Sequence, residues 1–283
     1  MTFPSYIIAA TPRSGSTLLC DLLSGTGIAG RPHSYYRRQD ISWRAQEWGV
    51  PSLDLIGPEA FERAYLEAVL RAGIAGTGMF GLRLMWPTVP ELAARLSVIQ
   101  PDGLDDAARF QSAFGKPLYV HLSRADKVLQ AVSLLKAQQS GLWHLGADGT
   151  ERERSEPSAP LAYDKDRLTS LVDELEMGDA AWIDWFSRHG IEPLRVTYET
   201  LAFTPHTVLA QVLSALELES AAPRRSRSER RNSKTRRAPT GPVGFARYMS
   251  HREATIVAPS SRYLEIETEM TWLYSSSRAP TPS

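Results

Sequence analysis

Short continuous apolar runs alternate along the chain with longer stretches in which apolar residues recur every three or four positions. The short runs, Tyr6–Ala10, Met79–Leu84, Leu118–Leu122 and Leu194–Val196, have the length and composition of buried strands. The periodic stretches predict helices over Ser16–Ser24, Glu59–Ala72, Val89–Leu96, Asp126–Gln139, Lys165–His189 and Thr204–Leu216. Asp126 suits the N-cap of its helix, because Val128, Leu129, Val132 and Leu135 follow at helical spacing. Strands alternating with helices imply an α/β fold, here a P-loop-like three-layer arrangement around a mostly parallel central sheet. The stretch from Gly146 to Pro160 is rich in Gly, Ser, Pro and charge, and reads as a loop or substrate-gating insertion. There is no internal repeat.

The first strand leads into chemistry. Tyr6-Ile-Ile-Ala-Ala10 is followed by Thr11-Pro12-Arg13-Ser14-Gly15-Ser16-Thr17 and then an apolar helix. In the frame G-x-x-x-x-G-K-[ST], the second glycine and the last hydroxyl are present as Gly15 and Thr17. Ser16 replaces the lysine that would reach the β- and γ-phosphates, and a cation stands instead at Arg13. Gly15, lacking a Cβ, lets the backbone approach an anion, and the N–H groups of Ser14 to Thr17 open a helix with no intrahelical partners. Arg13 adds a forked permanent charge that fits a tetrahedral oxyanion. The loop suits a phosphate-like anion, but not a nucleoside triphosphate with magnesium. A plain strand-turn-helix with a solvated arginine is the bland alternative.

Arg124 directly follows the third strand, and open α/β sheets bind ligands at the carboxyl ends of their strands. Ser133 lies about two turns into the helix beyond, so it reaches the same ligand only if the chain bends on its way in. The alternative is that Arg124 caps the sheet and Ser133 packs.

These segments resemble a known family. Pro12–Thr17 is similar to the 5′-phosphosulfate loop of sulfotransferases that use 3′-phosphoadenylyl sulfate (PAPS), and Arg124 and Ser133 resemble the pair that grips the 3′-phosphate of that donor. Thr11 to Leu22, Gly27-Ile-Ala-Gly-Arg-Pro32, Gly81-Leu-Arg-Leu-Met-Trp86 and Trp182-Ile-Asp-Trp-Phe186 resemble the bacterial carbohydrate sulfotransferase family that includes trehalose and lipopolysaccharide sulfotransferases. The resemblance runs from about Tyr6 to about Leu218. It implies sulfuryl transfer from PAPS to a hydroxyl of a carbohydrate or glycolipid, with no metal. It implies donor contacts from Arg13, Ser14, Gly15, Ser16, Thr17, Arg124 and Ser133, with Arg13 also catalytic. The carboxylate that the family places after Gly-x-Pro falls on Ser34 here, and the neighbouring His33 becomes the candidate base. A surface-loop histidine is the equal alternative. Ser34, Tyr35, Tyr36, Arg83 and Trp86 are the candidate acceptor contacts, although the aromatics suit a core as well. Val196-Thr-Tyr-Glu199 resembles the Tyr-Glu step near adenine in many sulfotransferases. A P-loop kinase is disfavoured by the missing lysine, and a nucleotide-binding protein of the same fold that has lost its activity is the other alternative.

Composition agrees with a globular enzyme. At 283 residues, 42% hydrophobic, the chain can bury a full core. The single cysteine, Cys20, cannot form an internal disulfide and favours a reducing, cytoplasmic compartment, with the inner membrane surface open for a glycolipid acceptor. The N-terminus lacks a basic leader, and no run of about 18 apolar residues predicts a membrane span. Residues 224–237 hold eight Lys/Arg against one acid, Glu229. The chain is neutral overall, so this net +7 leaves −7 on the remainder. The sequence therefore divides into a sulfotransferase domain, 1–222, and a basic, Ser/Pro-containing tail, 223–283, without the composition of a packed core and atypical of the family. The basic run 224–237 has no interleaved aromatics, so no nucleic-acid partner is expected; a homodimer is an open arrangement.

Overall fold

The computed structural model describes residues 4–145, 151–154 and 162–218. Its centre is a four-stranded parallel sheet in the order β2-β1-β3-β6, formed by β1 (Ser5–Ala10), β2 (Phe80–Met85), β3 (Pro117–Ser123) and β6 (Leu194–Thr197). The register pairs Ala10 with both Met85 and Leu122, and Ser123 with Thr197. All four strands therefore end along one edge, and the turns beginning at Thr11, Trp86, Arg124 and Tyr198 share it.

The alternation of side chains divides the core in two. Ile7 and Ala9 of β1, with Leu82, Leu84 and Tyr119, face a layer that contains α4 (Pro58–Ile74), α5 (Val89–Ser97), α6 (Asp106–Phe114) and α8 (Lys165–Arg188). Tyr6, Ile8 and Ala10, with Leu118, Val120, Leu122 and Val196, face α1 (Ser16–Gly25), α9 (Tyr198–Phe203) and α10 (Pro205–Ala215). This is the expected three-layer α/β fold. Each fully buried Ile or Leu contributes about 1.5–3 kcal/mol relative to an exposed one. The aromatic stripe of α8, Trp182, Trp185 and Phe186, is buried against β1 and β3, and Trp182 Nε1 donates to the Ala10 carbonyl at 3.1 Å.

The predicted strands and long helices are present with shifts of one or two residues at their ends. Asp126 caps α7 (Lys127–Ser140), its Oδ1 accepting from Leu129 N at 2.8 Å. Four further helices among the described residues are too short for periodicity to predict them: α2 (Ile41–Glu47), α3 (Leu53–Ile56), α6 and α9. The loop expected from Gly146 to Pro160 is corrected at 151–154, where β5 (Glu151–Arg154) pairs antiparallel with β4 (Leu142–Leu145). Glu-Arg-Glu-Arg carries no apolar alternation to announce a strand. This hairpin belongs to a second compact unit. The rest of the expected gating insertion, and the basic tail with its boundary at 222, lie outside the described residues. Among the described residues no helix is long and apolar enough to cross a membrane.

Candidate active site

The turn after β1 is held in an unusual backbone. Arg13 has φ 63° and Gly15 φ 85°, both left-handed. For a non-glycine residue that conformation costs about 1–2 kcal/mol. A Cβ on Gly15 would lie 2.6 Å from Tyr198 Cδ2, so only glycine fits between the loop and the first residue after β6. Ser14 and Ser16 are buried, and Ser14 Oγ has no hydrogen-bond partner. Arg13 Nε donates to Ser133 Oγ at 2.9 Å. Ser133 meets the loop without a bend in its helix, because the Arg13 side chain reaches across to it.

Arg124, at the end of β3, is 8% exposed. Its guanidinium carbon lies 4.3 Å from the Tyr198 ring centroid, and its Nε is buried without a hydrogen-bond partner. Glu199 Oε1 accepts from the backbone N–H of Ala125 at 3.1 Å and of Asp126 at 3.4 Å, which fixes the turn carrying Arg124. The Tyr198-Glu199 step thus joins this site, as a platform for Arg124 and an acceptor for its turn.

A buried polar network that the sequence reading missed lies behind both turns. Thr11 Oγ1 donates to Asp179 Oδ1 at 2.9 Å, and Lys127 Nζ bonds Asp179 Oδ2 at 2.6 Å. Gln130 Nε2 donates to Thr11 Oγ1 at 3.1 Å and to the Pro12 carbonyl at 2.7 Å. Lys127 Nζ also bonds the Arg124 carbonyl, and Gln130 Oε1 at 3.1 Å. The helix approaches closely here, because a Cβ on Gly178 would lie 2.9 Å from Thr11 Cγ2. One signal pointed to Asp179: it falls on the buried stripe of α8 defined by Leu171, Leu175 and Trp182, where an unpaired carboxylate is costly.

The acceptor candidates separate. The backbone around His33 runs beside β2, with Arg83 N donating to the His33 carbonyl at 3.1 Å. This sets Ser34 against Arg83, whose Nε donates to Ser34 Oγ and whose Nη1 donates to Thr17 Oγ1, both at 2.8 Å. Arg83 therefore bridges the anion loop and the Gly-Arg-Pro-His-Ser segment. A pocket of about 180 Å³ is lined by Ser34, Tyr36, Arg37, Arg83, Met85 and Thr88. Ligand pockets usually span about 300–1,000 Å³, so this one holds one portion of an acceptor, such as the ring that carries the accepting hydroxyl. Tyr35 turns into the core, its hydroxyl donating to the Arg31 carbonyl at 2.5 Å. Trp86 packs edge-on against Trp182 at 5.2 Å. Neither Tyr35 nor Trp86 lines the pocket.

His33 Nδ1 lies 3.0 Å from Arg44 Nη2. Burial, then the charges of Arg83, Arg44 and Arg37, lower its pKa to about 4. By its accessible surface His33 is exposed, so the contact with Arg44, and not desolvation, carries the direction. As an acceptor from Arg44, Nδ1 is unprotonated. His121, buried on β3 with Nε2 unpartnered, is also lowered, by burial first. Among the described residues no cluster of His, Cys, Asp and Glu could hold a metal ion.

A glycine-bearing loop after β1, a second arginine at the adjacent strand end and no lysine in the loop make this edge of the sheet the candidate active site. The family model described as Stf0 sulphotransferase matches residues 5–238, and the chain belongs to that family; it is a sulfotransferase. It is similar to the trehalose 2-sulfotransferase of Mycobacterium tuberculosis (strain ATCC 35801 / TMC 107 / Erdman), with 31% identity over 75% of this chain and 83% of the relative. It is also similar to the trehalose 2-sulfotransferase of Mycolicibacterium smegmatis (strain ATCC 700084 / mc(2)155), with 30% identity over 75% of this chain and 84% of the relative. Membership replaces the kinase alternative.

Proposed function

We propose that this enzyme moves a sulfuryl group from 3′-phosphoadenylyl sulfate to a hydroxyl of a small carbohydrate of the trehalose type. The observation that carries the donor is the pair of orphaned buried donors at adjacent strand ends: Ser14 Oγ after β1 and Arg124 Nε after β3. Of the buried side-chain donors without partners, these two belong to turns on the one strand-end edge, which suits a ligand with two anionic groups. The residues present fit the donor: Arg13, Ser14, Gly15, Ser16 and Thr17 would hold its 5′ end, and Arg124 its 3′-phosphate. Ser133 acts through Arg13. Bound there, the donor supplies the sulfuryl group and leaves as adenosine 3′,5′-bisphosphate.

The chain's own residues account for the rest. Arg13 and the loop N–H groups stabilise charge that grows on the leaving oxygen. Arg83, fixed by Thr17 and Ser34, orients the acceptor in the adjoining pocket. His33 is the candidate base, in the place where the family's carboxylate falls on Ser34: its one lone pair, on Nδ1, takes the acceptor's proton once the acceptor hydroxyl displaces Arg44 Nη2 from it. The two relatives are named for trehalose, which favours a sugar over a lipopolysaccharide acceptor.

Calorimetry tests the donor. Adenosine 3′,5′-bisphosphate should bind well and ATP–Mg²⁺ poorly, because the loop has no lysine for a γ-phosphate. Equal or tighter binding of ATP–Mg²⁺ would overturn the donor assignment.

A further inference from the structure

The network of Thr11, Gln130, Lys127 and Asp179 touches both anion grips at once. On one side it holds the loop after β1, through the Thr11 hydroxyl and the Pro12 carbonyl. On the other it holds the turn after β3, because Lys127 Nζ bonds the Arg124 carbonyl. Asp179 joins the two halves, with one oxygen on Thr11 and the other on Lys127. Thr11 is 2% exposed, Gln130 0% and Asp179 9%, so these bonds are largely shielded from water. In such surroundings each bond polarises the next, and loss of one member is felt by the others. None of the four is needed as a direct ligand contact by the assignment above.

We propose that Asp179, with Lys127 and Thr11, is a positioning residue that couples the 5′ and 3′ grips of the donor site: ordering one turn orders the other, and the two ends of the nucleotide bind cooperatively. This rests on the donor assignment above. Linkage makes such coupling reciprocal, so a change on either side must appear on the other.

The test compares adenosine 3′,5′-bisphosphate with adenosine 5′-monophosphate, which lacks only the 3′-phosphate. The ratio of their dissociation constants measures the 3′ grip. A change in the folded or competent fraction scales both constants alike and cancels in the ratio. Thr11→Val keeps the shape and removes the hydroxyl on the 5′ side. Coupling predicts that the ratio falls by about 5-fold or more, although Arg124 is untouched. If both nucleotides weaken by one common factor, Thr11 acts locally and the coupling is overturned. Lys127→Met is the converse variant: affinity for the monophosphate should fall by about 5-fold or more, and an unchanged value overturns the proposal. Lys127→Met leaves Asp179 with less compensation, so if it does not fold, Thr11→Val decides alone. A wild-type protein that does not prefer the bisphosphate removes the donor assignment, and the coupling with it. A strong wild-type preference that Thr11→Val does not move removes the coupling only.

Discussion

Arg13 and Ser133 are 120 residues apart in sequence and bonded in the fold, Nε to Oγ at 2.9 Å. The contact gives the strained, left-handed Arg13 a fixed side-chain direction, and it ties the loop after β1 to the helix after β3.

Arg124→Ala should weaken the binding of adenosine 3′,5′-bisphosphate with little change in kcat, because its phosphate contact is the same before and after transfer. Arg13→Ala should lower kcat, because it meets charge that grows in the transition state. Ser133→Ala removes one hydrogen bond to Arg13, worth roughly 0.5–1.5 kcal/mol, and should give a smaller loss of the same kind. Steady-state kinetics separate the three. Loss of apparent affinity alone in Arg13→Ala would take Arg13 out of the transition state.

His33 should titrate near pH 4, not near its ordinary value of about 6.5. Turnover should therefore stay level through neutral pH as far as His33 is concerned, and decline only as pH approaches 4. Its pKa is lower folded than unfolded, so the unfolded chain takes up the proton first. Stability from this group is present above about 6.5, falls as pH falls through the window to about 4, and is then lost. Arg44→Met should raise the His33 midpoint in an NMR titration. His33→Ala should lose about 10²–10⁴ in rate with donor affinity intact, and Ser34→Glu, placed against Arg83, should recover part of it. Undiminished turnover in His33→Ala would move the base elsewhere.

Gly15→Ala should destabilise the loop twice over. The left-handed backbone costs about 1–2 kcal/mol with a Cβ, and that Cβ would press on the Tyr198 ring at 2.6 Å. Tyr198 underlies Arg124, so donor affinity should fall together with the melting temperature, by roughly 2–4 °C per kcal/mol. Differential scanning calorimetry with and without adenosine 3′,5′-bisphosphate checks both.

Trp182→Phe should cost stability without touching the loop's own side chains. It deletes the buried bond from Nε1 to the Ala10 carbonyl, and a buried acceptor deprived of a donor costs roughly 1–3 kcal/mol. Chemical unfolding should show a lower midpoint at unchanged m-value.

Much of this site was legible in the sequence because its signals are local. The apolar run Tyr6–Ala10 followed by Gly15 within a hydroxyl-rich turn announces strand, loop and helix, and Arg124 directly follows a second apolar run. Arg83 is different. It sits on a strand among apolar residues, and only the parallel pairing of β1 and β2 shows that it reaches Thr17. Asp179 and Lys127 are 52 residues apart, and nothing local pairs them. Tyr35 is an acceptor candidate because aromatics suit sugars; in the fold its ring is buried and lies between His33 and Trp48, a placement that nothing local announces. Short helices such as α3, four residues long, have too few turns for periodicity to show.

Sulfuryl transfer from PAPS to a sugar hydroxyl leaves a product that can be weighed. The most direct measurement incubates the full chain with PAPS labelled in its sulfur, trehalose and no added metal, and follows label into a sulfated disaccharide by mass spectrometry. Labelled trehalose sulfate should appear together with adenosine 3′,5′-bisphosphate in equal amounts, and Arg13→Ala should lose both products. Tight binding of adenosine 3′,5′-bisphosphate without label in trehalose or in any carbohydrate or glycolipid of a cell extract would contradict it.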